Sequence, residues 1–249
     1  MIKKNLYGKY ALVFIMVLLF FSACAMKQNI FLKTDGSGNV DFEMKLAPYF
    51  TEVASQLSEL VPAGDTASPQ KDGTFFNIPK LKKDFSLRKG VSLTKLVSPT
   101  PDILWGSFSF SDINTAVTDA GKTKNPGIFS FKEVNGKSQL SVDITYTTME
   151  ALLSENPSLN SPLMENFGPL ANKDLSESDY LDMMEYALGK ESRQGIKDSR
   201  LDIVITVDGS ILSQSGGKKL SSRRVEFSIP LIKILVLKTP LHYSVTFNE

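Results

Sequence analysis

The sequence predicts an α+β fold: a curved, mainly antiparallel sheet of about eight strands, with helices packed on one face and an apolar cavity enclosed between them. Three observations predict it. Apolar and polar residues alternate in runs that come in pairs around Gly-rich or Asn-Gly turns, which is how hairpins read. Segments with helical spacing are few and irregularly placed, without the regular strand–helix alternation of a parallel sheet. No linker cleanly divides the chain beyond residue 30, and sixteen Phe supply apolar bulk for one core. The expected organisation is a cleaved signal peptide over 1–23, a lipidated tether over 24–29 and a single α+β domain over 30–249.

The leader comes first. Lys3, Lys4 and Lys9 precede the apolar run Tyr10 to Phe21, and the small pair Ser22-Ala23 leads to Cys24. A basic start, an apolar middle and a small-residue exit make a secretory signal peptide. The run has about a dozen residues, where a spanning helix needs about 20. Its flanking positive charges direct the rest of the chain to the exported side. Phe21-Ser22-Ala23-Cys24 resembles the lipobox of bacterial lipoproteins, with Phe21 in place of the usual leucine, a looser form similar to that of spirochaete lipoproteins. The resemblance implies that the Cys24 thiol takes a diacylglyceryl group, that cleavage falls just before it, and that the new amino terminus receives a further acyl chain such as palmitate. It implies a cell-envelope location with the membrane as partner through the N-terminal lipid. Ala25 stands where inner-membrane relatives carry aspartate, which favours the outer membrane, on its periplasmic or surface side. At about 0.8 kcal/mol per buried CH₂, three chains would make the anchor essentially permanent.

Cys24 is the only cysteine, so no intramolecular disulfide forms and the exported domain must be stabilised by its core alone. Removing Lys3, Lys4 and Lys9 from the 28 cations leaves 25 against 27 acids, a net charge of −2. No basic field for nucleic acid results.

The elements of the domain follow in order. Ile30, Leu32 and Thr34, then Val40, Phe42, Met44 and Leu46, flank Asp35-Gly-Ser-Gly-Asn39 and read as a hairpin with one apolar face. Pro48 opens a helix whose stripe is Phe50, Val53, Ala54, Leu57, Leu60 and Val61. Residues 62–74 read as a polar loop. A short basic helix over 79–87 turns Leu81 and Phe85 inward. A strand over 91–97 places Val91, Leu93 and Lys95 on one face, and Pro99-Thr-Pro101 turns into a strand over 103–110. Asp112 caps a short helix, and 128–134 and 139–147 form a hairpin on Asn135-Gly136. A helix begins at Thr148, and 156–174 is a partly helical excursion. Ser176-x-x-Asp179 resembles a capping box ahead of a helix with Leu181, Met184 and Leu188 buried and Gly189 as its stop. Strands over 201–207, 225–229 and 241–247 complete the domain, with Asp208-Gly-Ser210 as a turn and 215–219 as a loop. Thr34-Asp-Gly-Ser37 and Val207-Asp-Gly-Ser210 echo each other, although no period recurs.

The search for chemistry turns up little. The single histidine, His242, alternates away from Leu241, Tyr243 and Val245 and should face solvent. A Ser-His-Asp or Cys-His site would have to use it, and zinc sites draw on several His or Cys. The Asp35-x-Ser37-x-Asn39-x-Asp41 spacing offers alternate oxygens, but Val40 stands where a calcium loop needs glycine and Leu46 where it needs glutamate. No catalytic residue, metal or cofactor is expected.

The segment Leu231 to Leu237 is apolar at six of seven positions between Pro230 and Pro240. It reads either as a buried segment crossing the core or as the wall of an apolar cavity. On the second reading Trp105, Phe108, Phe110, Leu231, Ile234 and Leu235 line a site for a lipid or another apolar small molecule. The strand–DGSG–strand–helix opening and the closing Val225-x-Phe-x-Ile-Pro-Leu231 and Thr239-Pro-Leu-x-Tyr-x-Val245 runs look like bacterial lipoproteins of the LppM type. That resemblance covers the two ends of the domain. It implies a lipid-binding-like α+β fold of unassigned biochemical function and contributes no catalytic residues. The expected function is a non-enzymatic binding or interaction module anchored in the envelope. The alternatives are a surface-exposed structural or host-interaction lipoprotein and, third, an enzyme on envelope polymers.

Overall fold

In a computed structural model, described over residues 24–52, 74–117, 126–155 and 162–249, the first hairpin lies in the middle of the larger sheet. β1 (Cys24–Leu32) and β2 (Gly38–Leu46) pair antiparallel from Cys24↔Leu46 to Leu32↔Gly38. Met26, Ile30, Leu32, Val40, Phe42, Met44 and Leu46 are all buried, as the alternation predicts. The turn closes through Lys33 N–H to the Ser37 carbonyl at 2.9 Å, and the Asp35 carboxylate accepts the Ser37 N–H at 2.8 Å. Residues 24–29, expected as a tether, are instead the first part of β1, because Met26 and Gln28 find ladder partners in Met44 and Phe42. The signal peptide expected over 1–23 lies outside the described residues.

Helix α1 (48–52) starts at Pro48 as expected; its predicted continuation through Val61, and most of the 62–74 loop, lie outside the described residues. Helix α2 (Ile78–Ser86) is capped by the Asn77 side chain, which accepts the Lys80 N–H, and buries Leu81 and Phe85. β3 (Val91–Thr100) and β4 (Ile103–Phe110) follow. The register slips between Leu93 and Lys95, so Leu96 opposite Gly106 turns inward and Lys95 is exposed. The expectation that Lys95 shares a face with Leu93 fails because a bulge reverses the alternation there. Asp112 caps α3 (Ile113–Ala116) through the N–H groups of Asn114 and Thr115.

β5 (Phe129–Val134) and β6 (Lys137–Ile144) form the second hairpin. Asn135 and Gly136 have φ of 53° and 69°, the left-handed pair that a two-residue hairpin turn requires. Helices α4 (Tyr146–Glu155), α5 (Pro162–Phe167), α6 (Glu177–Leu188) and α7 (Lys190–Asp198) precede the last strands. The Ser176–Asp179 capping box is present in both directions. β7 (Arg200–Val207), β8 (Ser210–Ser215), β9 (Lys218–Lys219), β10 (Arg224–Pro230), α8 (Leu231–Val236) and β11 (Leu241–Asn248) complete the chain.

The α+β class and the antiparallel bias hold. The strands divide into two sheets, one of seven in the order β3-β4-β2-β1-β7-β10-β9 and one of four in the order β5-β6-β11-β8. Only β1 and β7 pair in parallel among the described residues. The two sheets share the main core: Phe42, Ile205, Phe227 and Leu104 of the larger sheet meet Leu140, Val245 and Phe247 of the smaller. Helices α2 and α3 cover the same inner face through Leu81, Phe85, Ile113 and Ala116. A second cluster joins β6 to α4, α5 and α8, and a third joins α1 to α6, α7 and α8. Among the described residues, no helix is long and apolar enough to cross a membrane.

Candidate functional site

The six residues expected to line one cavity fall into four surroundings. Period-two alternation in β4 sends Leu104, Gly106, Phe108 and Phe110 inward and leaves Trp105 on the opposite face, 40% exposed, with the Lys95 ammonium 5.9 Å from its ring centre. Phe108 and Phe110 are in the main core, where Phe108 packs on Phe42 and Phe85. Ile234 belongs to the second cluster, Leu231 and Leu235 to the third. The apolar 231–237 segment is helical, not extended. Its helix ends at Leu237 in the left-handed region, φ 44°, a conformation that costs a non-glycine residue about 1–2 kcal/mol. Leu237 is itself buried against the second cluster, which offsets that strain.

His242 lies where the alternation predicts, on the outer face of the smaller sheet. It stands opposite Asp143 in the ladder, and its Nδ1 is 2.7 Å from the Asp143 carboxylate. With its side chain 62% exposed, it is a surface pair. The DGSG loop uses its carboxylate for its own geometry: hydrogen bonds from Ser37 hold the Asp35 pKa below the ordinary value. Among the described residues no group of three His, Cys, Asp or Glu is placed to hold a metal.

The concave feature with both apolar and charged walls lies elsewhere. A groove of about 590 Å³ runs between α2 and β3, lined by Lys82, Phe85 and Ser86 from the helix and by Val91 to Val97 from the strand. Successive side chains of a strand point to opposite faces. Seven consecutive residues of β3 therefore line one groove only because it follows the strand's edge, not either face. Among the described residues β3 is the terminal strand of the seven-stranded sheet. Phe85 and Leu96 close the inner side, while Lys82 and Lys95 are exposed.

The charge around this groove is one-sided. From Pro79 to Thr100 the sequence holds Lys80, Lys82, Lys83, Arg88, Lys89 and Lys95 against one acid, Asp84. Asp84 is buried, and burial pushes its pKa up despite the neighbouring Lys80 and Arg88. The signal for this site was in the sequence as a lysine-rich helix beside a strand. What hid it was the overall near-neutral charge, which averages a local excess away.

No family model matches the chain, and no curated protein matches it. Among solved structures it is similar to the folded domain of LppM from Mycobacterium tuberculosis. That likeness has a TM-score of 0.39 at 12% identity, over 99% of this chain and 95% of that one. At that level it carries no argument about function, which rests on this chain's own residues.

Proposed function

We propose that this chain is a lipoprotein of the bacterial cell envelope, anchored through lipid on Cys24, whose folded domain binds a partner and does no chemistry. The observation that carries the reading is the sequence run itself: a basic start, a short apolar stretch and Phe21-Ser22-Ala23 lead to the one thiol of the chain. Cys24, which the lipobox-like sequence would make the new amino terminus, is already paired with Leu46 in the sheet. The non-enzymatic part is supported by the fate of the usual nucleophilic and basic groups. The one thiol sits at the acylation position, and the one histidine is an exposed partner of Asp143. The binding element that the geometry favours is the groove along β3, with its apolar inner wall and lysine rim. Ala25 after the cysteine favours the outer membrane.

The test is acylation itself. Cells expressing the chain and fed labelled palmitate should incorporate label and hold the protein in the membrane fraction. Cys24→Ser should lose the label and release the protein. Mass analysis of the amino-terminal peptide should show it starting at Cys24 with diacylglyceryl and acyl additions. A Cys24→Ser protein that still fractionates with membrane, or an unmodified parent, would overturn the reading.

A further inference from the structure

The geometry points to strand addition: we propose that β3 takes up an extended, acidic segment of a partner protein as the next strand of the larger sheet. This rests on reading the domain as a binding module and names its partner class. An edge strand presents unpaired N–H and C=O groups that template another strand. The groove follows that edge for Val91 to Val97. At about 3.3 Å per residue it is roughly 20 Å long, enough for six or seven extended residues. Its inner wall offers the half-buried Val91 and Leu93 to side chains of the incoming segment, with Phe85 and Leu96 buried behind them.

The choice of an acidic partner follows from charge. Lys82 and Lys95 line the groove, Lys83 and Lys89 are exposed beside it, and the local acid Asp84 is buried. Within the strands the nearest acids, Asp41 and Glu43, are on β2, separated from β3 by β4, and Asp102 of the β3–β4 turn lies beyond the groove, where it accepts the Thr100 hydroxyl. A second copy of this chain is a poor occupant, because edge-to-edge pairing would bring two lysine-rich edges together. Lysines, the bulge before Lys95 and Pro99 are also devices that blunt a sheet edge. Blunting alone needs no trough beside the strand, and here α2 stands off the edge far enough to leave one.

The experiment uses the full-length chain in detergent, an octapeptide alternating Glu and Val as probe, and one alternating Lys and Val as control. Backbone hydrogen exchange should slow at least tenfold over residues 91–97 with the Glu-Val peptide and not with the control. The double variant Lys82→Glu/Lys95→Glu alters exposed side chains and should weaken binding at least tenfold while unfolding as the parent does. Raised salt should weaken it in the parent. Unchanged exchange over 91–97, equal binding of the control peptide, or protection of that stretch by phosphatidylglycerol vesicles but not by the peptide would each overturn the proposal. Membrane fractionation of the same preparation reads anchoring separately, so a protein that is anchored but takes no peptide rejects strand addition alone.

Discussion

Asp208 accepts the backbone N–H of Thr34 on both carboxylate oxygens, at 3.1 and 3.2 Å, across a sequence separation of 174 residues. The contact exists because β1 and β7 run parallel and end level, Leu32 beside Val207, so that the two Asp-Gly-Ser turns emerge together. Arg223 fixes the second turn from below, donating to the carbonyls of Val207 and Asp208 at 3.1 and 2.5 Å. Ser138 of β6 donates to the Thr34 carbonyl at 3.0 Å, which ties the smaller sheet to the same point. The resemblance between the two turn sequences thus has a structural counterpart in their adjacency.

Asp208→Ala should destabilise the domain by about 1–2 kcal/mol, since it removes a charged acceptor from a part-buried N–H. Asp208→Asn keeps one acceptor and should cost less. Urea unfolding midpoints of the two variants against the parent give the order.

Gly195→Ala should destabilise although it places a better helix former inside α7. Propensity favours alanine by about 1 kcal/mol, but a Cβ at this position would lie 2.2 Å from the Tyr49 ring. Overpacking of that kind costs about 1–3 kcal/mol. Tyr49 is itself buried, so the ring has little room to yield. A double-mutant cycle with Tyr49→Leu should recover part of the loss; strict additivity would show that the contact is not the cause.

Ile234→Ala and Leu235→Ala should each cost about 2–5 kcal/mol, the range for emptying a packed site. Their side chains are filled core, 2% and 4% exposed, in two separate clusters. The parent should leave an environment-sensitive apolar dye dark. Dye binding by the parent that either substitution abolishes would restore the cavity-wall reading of 231–237.

Asp84 should give the stability curve a slope at acid pH. Its folded pKa is raised above the ordinary 3.8, and desolvation is the main cause. The folded state therefore holds its proton more tightly than the unfolded chain does. The contribution is favourable below the ordinary carboxylate value and fades as pH rises through the folded one. Asp84→Asn should flatten this part of the profile, measured as thermal midpoints from pH 3 upward. A slope identical to the parent's would assign it to other groups.

Local signals in the sequence were legible where local physics decides. The Asn135-Gly136 turn, the Ser176–Asp179 box, the Asp112 cap and the inward faces of β1 and β2 all follow from spacing. No local signal marks helix α7, because Lys190 to Asp198 is mostly charged, carries Gly195 in its interior and buries only Ser192 and Ile196. Its helicity comes from docking on Tyr49 and α6, a tertiary effect. β8 and β9 were hidden for a related reason: Ser210 to Ser215 has one buried residue, Ile211, and is held by pairing with β11. The joining of β3-β4-β2-β1 to β7-β10-β9 in one larger sheet depends on the parallel β1–β7 pairing, a contact between distant segments that no local pattern encodes. Aromatic character alone groups Trp105 with Phe108 and Phe110, whereas the alternation sends it to the other face.

Cys24 is already held opposite Leu46 in the sheet, so a chain anchored there, as proposed, would have no slack. Val97 is level in the sheet with Lys27, and Val91 with Leu32, through the registers of β4 and β2. At about 3.3 Å per residue, the β3 edge occupies a band about 10 to 27 Å along the strand direction from Cys24. A domain on a flexible leash would sweep many heights and orientations. Anchored at Cys24 as proposed, this one would behave as a fixed mast, meeting only those partner segments that reach its own narrow band above the bilayer.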